Sequence, residues 1–221
     1  MEALADRGNG NYSYLDSPQE AWKVLVRESD STLVTMAKDV KIQVEFNPRQ
    51  VAAYRLIGYE NRLLDDQDFN DDEKDAGEMG AGHTVTALYE IVPAGVALPG
   101  APVDALKYQR RADTSRASRS AELMTIKLRY KQPDGGRSQR IEKVVGSAVS
   151  PLGANLGFAS AVAELGMLLR TSPHAGDASF DRLLARARQF RGADPHNDRG
   201  EFIALAERAS GLCRSKPATN Q

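Results

Sequence analysis

The period of apolar positions changes along the chain. Val40, Ile42, Val44 and Phe46 alternate with Lys41, Gln43 and Glu45, a period of two that predicts a half-buried strand. After the turn signal Asn47-Pro48, residues 51–59 predict a second strand with Tyr54, Leu56 and Ile57 packing inward. Residues 83–92 predict a third, with Val85, Ala87, Tyr89 and Ile91 on one face, and residues 123–130 a fourth. Pro133-Asp134-Gly135-Gly136 predicts a hairpin turn into a fifth strand over 140–145. Beyond residue 156 the spacing becomes helical. Phe158, Val162, Leu165, Leu168 and Leu169 form one stripe, and Phe180, Leu183, Leu184, Ala187 and Phe190 a second. Phe202, Leu205, Ala206, Ala209 and Leu212 form a third. Asp177 or Ser179, and Asn197 or Asp198, are N-caps for the last two helices.

Strands linked by loops rather than helices favour an antiparallel arrangement over alternating strand and helix. The expected class is α+β: an antiparallel, sandwich-like β domain followed by a helical segment. Residues 38–150 form the β-rich part, with an acidic loop at 60–78 and a flexible loop at 94–120. Residues 151–213 form the helical part, and 214–221 a polar tail. Residues 1–37 read differently. MEALADRG has the character of a helix end, and Tyr12 to Asp16 that of a brief strand. Ser17, Pro18 and Glu20 carry a helix start in capping-box spacing. One strand and one helix are too little to enclose a core, so this piece is expected to belong to another sheet.

Several strings are specific enough to identify relatives. KDVKIQVEFNP, AAYRLIGYENR, DFNDD, KDAGEMGAGHTVTALYEIVP, LRYKQPDG and LLRTSPHAGDASFDRLL occur in this order. Together they closely resemble the C-terminal region of bacterial YfbK-type proteins with a von Willebrand factor A (vWA) domain. The resemblance implies that a doubly wound α/β vWA domain precedes this region and that residues 1–37 are its closing strand and helix. It also implies a setting at the cell envelope or periplasm and, for the intact protein, a divalent cation at an adhesion site built on Asp-x-Ser-x-Ser. That string is absent here. Asp113 to Ser118 places its second serine one position late, and Asp177 to Asp181 ends in aspartate.

Composition narrows the chemistry further. Lys and Arg number 29 against 30 Asp and Glu, which removes the net basic footprint of a nucleic-acid binder. The one cysteine, Cys213, makes neither an intrachain disulfide nor a thiolate metal site. No apolar run is long enough to span a bilayer. The first residues lack the character of a signal peptide, so the chain is expected to be cytosolic or to lack its true N-terminus.

The charged stretch 60–78 holds nine carboxylates: Glu60, Asp65, Asp66, Asp68, Asp71, Asp72, Glu73, Asp75 and Glu78. Asp66, Asp68, Asp71, Asp72 and Asp75 are the calcium candidates, since alternating carboxylates supply oxygen ligands. The EF-hand pattern fails, because counting from Asp66 puts Asp71 where glycine is needed and Gly77 where glutamate is needed. The acids, together with His83, are therefore read as a solvated surface that meets a protein partner. A glycosidase pair of acids is the least supported alternative. The three histidines share no ligand spacing, and Gly80-Ala81-Gly82-His83 lacks the lysine of a phosphate loop. Lys107, Arg110, Arg111, Arg116 and Arg119 form a basic loop, either solvated or a counterpart to the acidic one. The expectation is a non-enzymatic interaction or scaffold module with no catalytic residue and no cofactor of its own. A calcium-dependent binding module is the alternative, and self-association through residues 1–37 is a further expectation.

Overall fold

The computed structural model describes residues 12–58, 63–74, 76–97 and 120–215. Glu60, Asp75, the basic loop residues, the helix end predicted within 1–11 and most of the tail lie outside them. The architecture is α+β, with two antiparallel sheets and a group of helices. The chain divides into two compact units. One runs to Ser147 without the short pieces Leu56–Gly58 and Thr86–Leu88; the other takes those pieces and everything from Ala148.

The first unit is built on β1 (Thr35–Phe46), a strand of 12 residues. Alternation marks its second half, and its first half is drawn out by pairing with β3 (Gly77–Gly80). Along its other edge, β1 pairs with β5 (Glu122–Gln132) from Lys38 to Phe46. The turn at Pro133-Asp134 returns the chain as β6 (Gly135–Gly146), giving the order β3-β1-β5-β6. A smaller sheet joins β2 (Val51–Ile57) to β4 (Leu88–Pro93). The two sheets meet where Phe46 of β1 packs on Tyr54 of β2 at 4.6 Å and on Tyr89 of β4 at 5.4 Å between ring centroids. Burial and the neighbouring Tyr54 raise the Tyr89 phenol above its ordinary pKa.

Two predicted strands are corrected. Residues 83–87 alternate in sequence yet take no regular structure and are exposed; β4 starts only at Leu88, where β2 lies alongside. Residues 12–16 do not form a strand and are exposed. Alternation alone does not make an extended segment a strand. The missed strand, β3, has the opposite cause. Gly77-Glu78-Met79-Gly80 has little β character of its own, but its glycine permits a close approach. A Cβ on Gly80 would stand 1.6 Å from the carbonyl oxygen of Ser31. Ala81 then donates its N–H to Val34 O at 2.8 Å.

Ahead of β1, Ser17 caps α1 (Pro18–Trp22) as predicted, accepting from Glu20 N at 3.1 Å. Only half of the capping box forms, since the Glu20 carboxylate bonds Lys23 at 3.2 Å instead. The helix widens at once: Glu28 N bonds Lys23 O at 2.8 Å, five residues back. A short α2 (Ser29–Leu33) follows. Trp22, Leu25, Val26 and Leu33 of this segment are all exposed.

The second unit is helical: α3 (Ala154–Leu169), α4 (Phe180–Gln189) and α5 (Asp198–Ser215). Its core is Phe158, Ala161, Leu165, Leu183, Leu184, Ala187, Ile203 and Ala206. Leu183 is fully buried, worth about 1.5–3 kcal/mol in transfer free energy. Ser179 caps α4 by accepting from Arg182 N at 3.3 Å. The α4 stripe matches its prediction; α5 is rotated, burying Ile203, Ala206 and Ser210 while Leu205 and Leu212 stay exposed. Among the described residues no helix is long and apolar enough to cross a membrane.

Candidate functional site

The register of β1, β5 and β6 decides what the acidic stretch meets. Lys41 pairs with Arg129, Lys38 with Lys131, and Arg129 with Arg140. A bulge in β1 between Lys38 and Lys41 puts both lysines in phase with the β5 cations. Asp39 forms the bend at φ 50°, a left-handed conformation that aspartate adopts more readily than most residues. One face of the sheet thus gathers like charges from neighbouring strands, and they require counter-charges from elsewhere in the chain.

The acidic stretch supplies them. A short 3₁₀ turn (Asp66–Phe69) places Phe69 inward, where it is 5% exposed. The turn and the residues after it lie over the cationic face. Lys41, at 3% exposure, donates to Asp68 O at 3.2 Å and also to Asp71 O. Arg129 donates to Asn70 Oδ1 at 3.1 Å and to Asp72 Oδ1 at 2.9 Å. Ser138 of β6 donates to Asp72 Oδ1 at 2.6 Å while accepting from Arg129 Nε at 3.1 Å. Lys131 bonds Asp72 O at 2.7 Å and pairs with Asp39 at 2.7 Å. The Ser138 hydrogen bond, aided by the charges of Arg129 and Lys131 and opposed by burial, holds the Asp72 carboxyl below the usual carboxylate range. Asp68 pairs with Lys74 at 3.0 Å, and that bond raises the Lys74 ammonium above its ordinary value.

The candidate acids therefore divide. Asp68 and Asp72 are held within the protein. Asp71 turns one carboxylate oxygen back to Glu73 N at 2.8 Å. Asp65, Asp71, Glu73, Glu78 and His83 are exposed at the surface. Asp66 lies in the 3₁₀ turn. His83 closes the turn after β3 through its N–H to Gly80 O at 3.1 Å. The segment from 65 to 72 is thus not the freely solvated excursion that its charge predicts, because cations on the sheet pin its backbone and one carboxylate. Among the described residues no three His, Cys, Asp or Glu side chains stand together as a metal site requires.

Sequence reasoning missed Lys41, Arg129, Lys131 and Ser138. Alternation put Lys41 on a solvent face, and the signal that identifies it, three basic positions converging across two strands, exists only once the bulged register is known. The helical unit has a second buried charge. Glu164 Oε1 accepts from Ser179 N at 3.4 Å, while Oε2 lies 2.9 Å from Arg186 Nη1 as an ion pair off the hydrogen-bonding direction. It ties α3 to the N-cap and to the last turn of α4.

Residues 31–212 match the family described as "Uncharacterized protein YfbK, C-terminal". The chain is 42% identical over 212 residues to "Uncharacterized protein YfbK" of Escherichia coli (strain K12), covering 96% of the chain and 36% of that relative. It thus spans about a third of the length of the curated relative it matches. No solved structure matches it.

Proposed function

The chain belongs to the YfbK C-terminal family, and on that premise we propose that it is a non-enzymatic protein-interaction or scaffold module. The observation that carries this reading is the use made of the charged groups. Lys41, Arg129, Lys131 and Ser138 hold an acidic segment in a fixed shape, with Asp65, Asp71 and Glu73 facing outward. Asp72, held below the usual carboxylate range, is a weaker base than a free carboxylate, the opposite of what general-base chemistry needs. The fixed acids form the contact surface, and a basic patch on a partner protein is its complement. Within the same proposal, a vWA domain precedes this region and is closed by the residues ahead of the family match at residue 31, since Thr35–Ala37 already pair with β3 in this domain. The intact protein works at the bacterial envelope, and any divalent cation is held by the vWA domain.

A photo-crosslinking residue at Glu73 of the intact protein in its bacterium tests the reading. A discrete adduct with one protein, lost when Asp65 and Asp71 are changed to lysine, is expected. Absence of any adduct overturns it. So does catalytic turnover that disappears with His83→Ala or with Asp68→Asn.

A further inference from the structure

The four-stranded sheet ends on β6, and among the described residues no strand pairs with the outer edge of β6. That edge is 12 residues long, contains no proline, and keeps an unbroken register against β5 from Val145 to Gln139. Such an edge presents a row of unpaired N–H and C=O groups to which another strand can pair, and the charges on β6 restrict which strand that is. The opposite edge of the sheet, β3, has only four residues. Most of β6 is exposed, with Ile141 at 52%.

We propose that β6 pairs with β6 of a second copy of this chain, antiparallel about a two-fold axis at Ile141. The charge pattern selects this partner and this register. With the axis at Ile141, Arg140 of each copy stands opposite Glu142 of the other, giving two equivalent ion pairs. Gln139 then faces Lys143, and Ser138 faces Val144. Moving the axis one residue either way sets Arg140 against its own copy or Glu142 against its own copy, and like charges directly opposite are destabilising. Within one chain Arg140 sits beside Arg129, and Glu142 beside Lys127. Arg140 and Glu142 already pair with each other along the strand. Dimerisation extends this to an alternation of charge across both copies and covers the two Ile141 side chains against each other. A two-fold strand pairing is isologous and closes, so it gives a dimer rather than a fibre. The inference stands independently of the function proposed above.

Sedimentation velocity of the full 221-residue chain over a wide concentration range tests it. A monomer–dimer equilibrium is expected. Arg140→Glu and Glu142→Arg are each expected to weaken the dimer roughly tenfold or more, and the double exchange Arg140→Glu/Glu142→Arg to restore it. Ile141→Cys in a Cys213→Ser background gives a second readout that does not depend on how the charge variants fold. A short bismaleimide is expected to link two chains at residue 141. A monomer at every concentration overturns the proposal, as does association indifferent to the single exchanges or absence of the linked species.

Discussion

Lys41 is a charge that the fold buries. Its stem runs under the acidic segment and its ammonium ends on the carbonyls of Asp68 and Asp71. Lys41→Met keeps the stem's apolar packing but leaves those carbonyls unpaired. The expected cost is about 1–3 kcal/mol in chemical denaturation, with protease cleavage appearing within 65–72. Asp72 sets an acid limit on the same contact. Its folded pKa lies below its unfolded value, so its stabilising effect is fully present above about pH 4 and is lost as pH falls through the folded pKa. Asp194 acts likewise in the helical unit. Burial opposes the shift, but the N–H groups of Arg199 and Gly200 and the Arg191 guanidinium outweigh it. The melting temperature is therefore expected to fall as pH drops below about 4. In Asp72→Asn/Asp194→Asn it starts lower at neutral pH and depends less on acid, as thermal melts across pH 2–7 will read.

Among the elements, the contact between α3 and the end of α4 gives a direct test of packing. A Cβ on Gly157 would stand 2.4 Å from the Phe190 ring. Gly157→Ala gains about 1 kcal/mol of helix propensity yet forces the ring aside, for which overpacking costs about 1–3 kcal/mol. Net destabilisation is expected, and Phe190→Leu should relieve part of it. Strict additivity in that double-mutant cycle would refute the steric account. The same elements mark what was legible in the sequence. The α4 stripe was readable because its period matches its burial. β1, β2, β5 and β6 were readable as strands from alternation, β-prone residues and turn signals, although burial does not follow their period, with Lys41 buried and Ile42 and Tyr54 exposed. β3 was not, because tertiary pairing made a strand of a glycine-flanked tetrapeptide. The face of α5 was legible in part: Phe202, Ala206 and Ala209 of the predicted stripe meet the core, but Ile203 and Ser210 outside it are buried and Leu205 and Leu212 within it stay exposed. At the site, the acids were legible as a cluster. Their counter-ions were not, since a one-residue bulge at Asp39 decides which way Lys41 points.

On the scale of the whole molecule, residues 148–153 join the two units without regular structure and with Val149 97% exposed. Limited proteolysis is expected to cut there early. The core cluster of the helical unit is made entirely of its own residues, so a fragment beginning at Ala148 should keep a helical circular-dichroism spectrum and melt cooperatively. A fragment with coil character would mean that the helices depend on the rest of the chain. The exposed indole of Trp22 has a practical corollary. It is the sole tryptophan, it stands 53% exposed at the end of α1, and the core of the helical unit contains none. Tryptophan emission therefore reports the segment ahead of β1 and is nearly blind to melting of the helices. A blue shift on adding a binding protein would place that protein on α1, and an unchanged spectrum during β6 dimerisation would show the two surfaces to be independent.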